Sequence, residues 1–299
     1  MTLESRRFIL ITFLTKRSIE YVILPVLLLS YLIGWFYQNS ELEMNLFLPG
    51  DGGSSIQFVE GFMLVSIAAL SGAFIVFAIK FNLLKVIKIF FSLGLFVSST
   101  SVFWLHAYFI KICKTNVTDS SGIFWGEIAF GIFGGIIGIV ACIVFILEKG
   151  NQFIRNTIIL ILGIAIGSIF GVIMHHITFL TLIFLISLFD IYSVFRGPIS
   201  KIFQKSNLSF KPEKSIFQEK MVAIGIGDFI FYSSVVTFFT KELGLALGFG
   251  SIICLLVGVK LTEKMLLKYG KFPGLPLPIF FTLTLVGVGW LVNLYLLPF

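Results

Sequence analysis

Apolar stretches long enough to cross a bilayer recur along the chain and constrain its fold more than any other feature. A helix needs about 20 mostly apolar residues to cross the hydrocarbon core. The 299-residue chain is 58% hydrophobic and only 12% charged, whereas a soluble domain has roughly a quarter charged residues. A soluble fold could not bury so much apolar surface. The sequence therefore predicts an all-α polytopic membrane protein embedded in a lipid bilayer.

Nine apolar stretches alternate with short charged loops, and each is interpreted as one transmembrane helix. The predicted spans are residues 20–37, 57–79, 87–110, 123–147, 156–173, 177–195, 221–240, 243–259 and 274–296. Residues 1–299 then form a single membrane domain, with helices one to five in residues 1–173 and helices six to nine in residues 174–299. A long loop occupies residues 196–220. The apolar run at residues 8–14 is too short to span, and we expect a short interfacial helix there.

The basic residues lie almost entirely on one side of this predicted topology. Nineteen of the 22 lysines and arginines fall in the loops of one side and three in the loops of the other. Because basic loops stay in the cytoplasm, the N-terminus is predicted cytoplasmic and the C-terminus external. The net charge of +7 does not indicate nucleic-acid binding, since no segment combines basic and aromatic residues to follow a phosphate backbone.

Four acidic residues fall within predicted spans. Glu60 and Glu127 lie within about one turn of the external end of their helices, where we expect them to reach the headgroups. Asp190 and Asp228 lie deeper, and a charged Asp at the centre of a span costs about 2.5–3.5 kcal/mol on insertion scales. Both lie on the order of 10 Å from the same predicted cytoplasmic face. They belong to consecutive antiparallel spans and can therefore face each other.

A pair of close carboxyl groups has a chemistry of its own. Two like charges at short distance cannot both form readily, so the pair shares a proton. The ionised partner can take a proton from an attacking water, and the protonated partner can donate to a carbonyl oxygen and then to a leaving amine. Such hydrolysis needs no metal or cofactor. The same pair could also carry protons or cations in a coupled transporter or channel. The positions of the two carboxyl groups, taken alone, would favour transport over hydrolysis.

The residues around the two aspartates distinguish these hypotheses. Asp228 lies in the sequence Gly-Ile-Gly-Asp-Phe-Ile-Phe-Tyr-Ser at residues 225–233, which resembles the GxGD motif of the presenilin and signal peptide peptidase family of intramembrane aspartyl proteases. Phe189-Asp190 resembles the YD motif of that family, with Phe189 in place of the usual Tyr. Pro273-Gly274-Leu275-Pro276 resembles the PAL motif, with Gly274 in place of Ala.

The resemblance implies a function for these residues. It implies that Asp190 and Asp228 are the catalytic pair of an intramembrane aspartyl protease, carried by helices six to nine. It also implies that substrate is held by the residues Gly225, Gly227, Pro273, Gly274, Leu275 and Pro276. No metal site is expected. The predicted cytoplasmic N-terminus matches the presenilin branch, so the expected substrates are transmembrane helices with their N-terminus outside.

Further expectations concern assembly and location. The chain lacks long appended tails and resembles the archaeal homologues, which implies a multi-pass protein of an archaeal cell membrane. No partner subunit is implied, so we expect an active single chain.

Glycines and histidines outside the motifs are expected to be structural. Glycines four apart let membrane helices approach closely, and we interpret three sets of them as packing surfaces. These sets are Gly131 and Gly135, then Gly163, Gly167 and Gly171, then Gly244 and Gly248. His106 is expected to be hydrogen-bonded in the packing, and His175 and His176 to lie in an external loop.

Overall fold

The fold is a bundle of helices with one short pair of strands. The structure, a computed structural model, describes residues 12–15, 20–38, 54–81, 83–115, 125–147, 152–196, 222–269 and 272–296. Within these ranges the helices are α1 (Glu20–Phe36), α2 (Ser54–Lys80), α3 (Leu84–Thr115), α4 (Trp125–Leu147), α5 (Gln152–Ile173), α6 (His176–Phe195), α7 (Ile226–Tyr269) and α8 (Pro276–Leu296). The strands are β1 (Thr12–Thr15) and β2 (Val222–Gly225).

Helix α7 is two antiparallel arms rather than one rod. Its 44 residues contain one non-helical position, Gly244, with φ 85° and ψ 175°. A Cβ on Gly248 would lie only 2.8 Å from the Cα of Thr240, although residues eight apart in a straight helix are about 12 Å apart. The chain therefore reverses at Gly244, where a positive φ favours glycine. The predicted boundary between spans seven and eight falls beside this reversal.

The helices have the length and composition of membrane spans. In the part of the chain that the structure describes, five helices are long and apolar enough to cross a bilayer, and three shorter apolar helices accompany them. Large apolar side chains such as Leu32, Trp35 and Phe133 are exposed on the outer surface, where a bilayer would solvate them. The chain is a multi-pass integral membrane protein. The count of nine spans and the orientation of the termini stay predictions.

The first arm of α7 is the centre of the bundle. Its side chains Phe229 and Phe239 are almost fully buried, and its Phe238 stacks on Phe179 of α6 with ring centroids 4.1 Å apart. The Ser30 hydroxyl of α1 donates to the Ser233 hydroxyl of α7 across 2.8 Å. Interhelical hydrogen bonds of this kind hold helices together in a bilayer, where burial of apolar surface gives little driving force.

Two sequence predictions about helix limits are wrong. Span seven was predicted to be helical from residue 221, but residues Val222–Gly225 form β2 and the helix begins at Ile226. The interfacial helix predicted at residues 8–14 is contradicted at residues 12–14, which belong to β1. β1 and β2 pair antiparallel, with Thr12 opposite Gly225 and Thr15 opposite Val222. Each strand supplies the other's backbone partners across some two hundred residues, which no local pattern reveals. Residues 197–221, most of the predicted long loop, lie outside the described ranges.

The expectation that Glu60 reaches the headgroups is also wrong. Its side chain is completely buried in α2, which packs closely on α6. A Cβ on the neighbouring Gly61 would lie 2.8 Å from the Cβ of Thr181, so α2 and α6 approach closely beside Glu60. Glu127, by contrast, is partly exposed and pairs with Lys111 across 3.3 Å.

Candidate functional site

Asp228 lies at the beginning of α7 rather than in the middle of a span. Because the helix begins at Ile226, Gly225 is the N-cap residue and Asp228 is the third helical residue. The Gly225 N–H donates to Asp228 Oδ2 across 3.2 Å, as in the second half of a capping box. The first turn of a helix leaves N–H groups unpaired and favours a negative charge. The break between β2 and α7 thus accounts for a carboxyl group at this depth.

Asp190 approaches the same point from α6. It lies five residues before the end of that helix at Phe195, and its Oδ2 accepts a hydrogen bond of 3.0 Å from the Leu275 N–H. Leu275 belongs to the short non-helical segment 272–275 that precedes α8. This segment therefore contacts α6 directly.

The segment 272–275 also contacts Asp228. A Cβ on Gly274 would lie 3.0 Å from Asp228 Oδ1 and 3.2 Å from its Cγ, so the Gly274 backbone lies directly against that carboxyl group. Two consecutive residues thus contact the aspartates: Leu275 contacts Asp190, and the Gly274 backbone contacts both. Asp190 is close enough for its charge to act on Asp228. Both aspartates are only partly buried. The geometry is that of two carboxyl groups facing one backbone segment.

The substrate-binding residues predicted from the sequence differ in their contacts with the two carboxyl groups. Gly225, Gly274 and Leu275 touch a carboxyl group, as described above. Gly227 has open space on the side where a side chain would begin, since nothing beyond the adjacent backbone of its own helix lies within 4 Å of that position. Pro273 is buried in the segment, and Pro276 is the first residue of α8, a position where its fixed φ suits a helix start. Their roles toward a substrate stay predictions.

The sequence interpretation assigned no role to Tyr232. Its side chain is 3% exposed, and its hydroxyl donates to the Gly274 carbonyl oxygen across 2.9 Å. Tyr232 follows Asp228 by four residues, so the two side chains share one face of α7. That spacing, within the motif itself, is the signal that could have identified it.

Several other residues lie away from the two aspartates. His106 is buried as expected, with its Nε2 3.2 Å from both the Ala165 carbonyl oxygen and the Ser168 hydroxyl. His175 and His176 lie at the start of α6, at the end opposite Asp190. Among the described residues, no three His, Cys, Asp or Glu side chains come together in a group that could hold a metal ion.

Comparisons with known proteins identify the fold. A solved structure of a presenilin family intramembrane aspartate protease in space group C222 superposes with a TM-score of 0.55 at 15% identity, covering 91% of this chain and 97% of that one. A structure of a presenilin family intramembrane aspartate protease in space group P2 gives a TM-score of 0.53 at 17% identity, covering 90% and 96%. No protein-family model matches the chain. No curated protein sequence matches it either. The chain therefore shares the presenilin-like fold over nearly all its length, a likeness of architecture at low sequence identity.

Proposed function

We propose that the chain is an intramembrane aspartic endopeptidase that hydrolyses peptide bonds within transmembrane segments of other proteins. The observation that carries this proposal is the contact of Asp190 and Asp228 with the adjacent residues Leu275 and Gly274. Two carboxyl groups beside one backbone segment can act on a substrate carbonyl between them. The presenilin-like fold and the three sequence motifs support the same conclusion.

The proposed reaction uses the two carboxyl groups as general base and general acid. The ionised carboxylate takes a proton from a water molecule as the water oxygen attacks the substrate carbonyl carbon. The protonated carboxyl group donates its proton to the carbonyl oxygen, and the carbonyl carbon becomes the centre of a tetrahedral intermediate. When the C–N bond breaks, the carboxyl group that took the proton from water gives it to the departing nitrogen. The other carboxylate takes a proton from a hydroxyl of the intermediate, so the products are an amine and a carboxylic acid, and the pair returns to its starting state. No redox group and no metal ion take part in these steps.

A helical substrate must lose its hydrogen bonds locally before water can reach its carbonyl groups. Gly225, Gly227 and Gly274 offer backbone without side chains near Asp228, which suits an extended substrate held by strand addition. Irregular backbone at this depth is tolerated where it is buried or lines a wet cavity. Pro273 and Pro276 would keep the segment out of the helix and leave it able to hold substrate.

Substrates are proposed to be single-span helices with the N-terminus outside, cut by one chain without a partner subunit. This orientation follows from the positive loops, which put the N-terminus of the enzyme in the cytoplasm. Reporter helices reconstituted in both orientations test it. Cleavage of the N-outside reporter alone would support the orientation, and equal cleavage of both would exclude it.

Purified protein in detergent or lipid, incubated with a single-span reporter, tests the main proposal. Mass spectrometry of the products would compare the parent with Asp190→Ala, Asp190→Asn, Asp228→Ala and Asp228→Asn. Each change removes an acid–base group, so we expect each to lower the rate by at least about 10²–10⁴-fold. The control Glu242→Gln lies fourteen residues after Asp228 and removes a carboxylate that pairs with the buried Lys241, so the rate per folded molecule should stay like that of the parent.

Folding of every variant is checked by circular dichroism, so that loss of activity can be assigned to chemistry. A folded parent that cuts no reporter, or aspartate variants that cut normally, would refute the proposal. In the first case a proton-flux assay in liposomes would test the transporter hypothesis, in which the same pair of carboxyl groups carries protons.

A further inference from the structure

Tyr232 and Asp190 bind opposite ends of one peptide group. The Tyr232 hydroxyl donates to the Gly274 carbonyl oxygen across 2.9 Å, and the Leu275 N–H donates to Asp190 Oδ2 across 3.0 Å. The Gly274 carbonyl and the Leu275 N–H belong to the same planar unit. The described chain contains no cis peptide bond, so these two groups point in opposite directions. The peptide group is therefore fixed between α7 and α6.

Local sterics alone do not fix the orientation of this peptide plane. The plane turns about ψ of Gly274 and φ of Leu275, and glycine lacks the Cβ that would limit the first of these angles. Leu275 precedes Pro276, which confines it to extended conformations but leaves a broad range of φ. A Cβ here would lie 3.0 Å from Asp228 Oδ1, so a larger residue would require that carboxyl group to shift by a small amount. The absence of a side chain at Gly274 thus makes room for Asp228 and also leaves the following peptide plane free to turn unless another residue holds it.

We propose that Tyr232 is a positioning residue that clamps the Gly274–Leu275 peptide in the orientation that holds Asp190. This inference rests on the proposed protease function for its effect on catalysis. Without the hydroxyl the peptide plane can turn, the Leu275 N–H leaves Asp190, and the two carboxyl groups lose their common support. A catalytic group misplaced by about 1 Å can cost on the order of 10²-fold in rate.

Tyr232 could instead be a buried tyrosine whose hydroxyl only satisfies its own hydrogen-bonding need. Tyr37 provides the matched control for that alternative. It is 2% exposed, and its hydroxyl donates to the His106 carbonyl oxygen across 3.3 Å, in a different part of the bundle. Tyr37→Phe and Tyr232→Phe each remove one buried hydroxyl. A purely structural role predicts that both changes affect stability alone and leave catalysis alone.

The first measurement is steady-state cleavage of the reporter by both tyrosine variants. For Tyr232→Phe we expect kcat to fall by roughly 10–100-fold, because the carboxyl pair loses its support, and KM to rise as well, because the released peptide belongs to the segment proposed to hold substrate. Tyr37→Phe should retain the kcat of the parent. Equal kcat in Tyr232→Phe and the parent would overturn the catalytic consequence of the clamp.

The second measurement does not depend on catalysis and separates this inference from the proposed function. NMR of protein labelled with ¹⁵N-leucine follows hydrogen exchange at the Leu275 amide, which Asp190 protects. We expect faster exchange in Tyr232→Phe and in Asp190→Ala, no greater exchange in the double variant than in Asp190→Ala, and parent behaviour in Tyr37→Phe. If exchange at Leu275 is the same in Tyr232→Phe as in the parent, the clamp does not exist, whether or not the protein proves to be a protease.

Discussion

The α5–α7 and α3–α4 helix pairs both pack through glycines, but only the α5–α7 pair carries one of the two facing aspartates. In the α5–α7 pair, Cβ atoms on Gly163, Gly167 and Gly171 would lie 2.7 to 2.9 Å from Phe229, Ser233 and Thr237. In the α3–α4 pair, Cβ atoms on Gly134 and Gly138 would lie 2.7 to 3.0 Å from atoms of Ser99 and Phe96. Both pairs let two backbones approach at van der Waals distance.

The difference lies in what each close approach positions. Gly163 of α5 meets Phe229, the residue directly after Asp228, so α5 fixes the height of the first turn of α7. The α3–α4 pair joins the bundle through contacts such as that of His106 with Ala165 on the far side of α5. The same packing device thus sets the position of a candidate catalytic group in one place and holds peripheral helices together in the other. Matched substitutions can separate stability from activity.

The largest effect is expected from Gly167→Ala compared with Gly134→Ala. The added methyl group meets the Ile230 carbonyl oxygen and Ser233 Cβ in the first case, and the Ser99 carbonyl oxygen and Phe103 Cβ in the second. Both changes overpack an interface and should destabilise the protein by about 1–3 kcal/mol. Only Gly167→Ala displaces α7, and a shift of about 1 Å at Asp228 can lower the rate on the order of 10²-fold.

Unfolding by SDS followed by circular dichroism, together with cleavage per folded molecule, checks this pair. Gly134→Ala should retain the specific activity of the parent despite its lower stability. If both variants lose activity in equal measure, the α3–α4 pair positions the site as much as α5 does, and the contrast between the two interfaces is incorrect.

A smaller effect is expected where each pair loses one hydrogen bond. The Ser233 hydroxyl of α7 donates to the Ile164 carbonyl oxygen of α5 across 3.1 Å, and the Ser99 hydroxyl of α3 donates to the Gly134 carbonyl oxygen of α4 across 2.7 Å. Ser233→Ala and Ser99→Ala should each cost about 0.6 kcal/mol of unfolding free energy, with an upper limit near 1.7 kcal/mol.

Activity distinguishes the two serine variants. Ser233 also accepts the hydrogen bond from Ser30, so its loss loosens three helices around the first arm of α7. We expect the cleavage rate to be several-fold lower in Ser233→Ala and unchanged in Ser99→Ala, measured with the same reporter. A Ser99→Ala variant that is less active than Ser233→Ala would reverse the proposed order of the two interfaces.

The sequence predicted the helices well because a bilayer imposes length and apolarity on each span. The predicted limits of spans one, five and six agree with α1, α5 and α6 within a few residues. The common level of Asp190 and Asp228 followed from counting residues to the charged loops. Both quantities are local, and hydropathy records them directly.

The features that the sequence did not predict depend on partners distant in the chain. β2 looked helical because an apolar run in a membrane protein carries no sign of strand pairing, and its partner β1 lies some two hundred residues away. Glu60 was expected to reach the membrane surface because its position along the span follows from the sequence. The sequence does not show that α6 packs against α2 at this level. The clamp on Gly274 by Tyr232 likewise joins α7 to the segment before α8. Such contacts are set by packing and not by hydropathy.

The glycines of α4 also show that the sequence alone does not reveal which residues pack together. A substitution among them gives the smallest predicted effect. In a soluble helix the apolar face marks the interface, but in a bilayer the lipid side is apolar too, so spacing alone cannot identify the packed face. The interpretation of Gly131 and Gly135 as a close-packing pair is wrong. Their Cβ positions meet only Trp104 at 3.7 Å and Thr100 at 3.8 Å, while Gly134 and Gly138 make the close approach.

Gly131→Ala should therefore stabilise the protein where Gly134→Ala destabilises it. At Gly131 the methyl group meets Trp104 Cδ1 at ordinary contact distance, so the change removes only the entropic cost of a helical glycine. That cost is about 0.5–1 kcal/mol relative to alanine. SDS unfolding would show the opposite signs of the two changes three residues apart on one helix. Destabilisation by Gly131→Ala would mean that α4 turns the Gly131 face toward α3, with the helix rotated by about 60° about its axis.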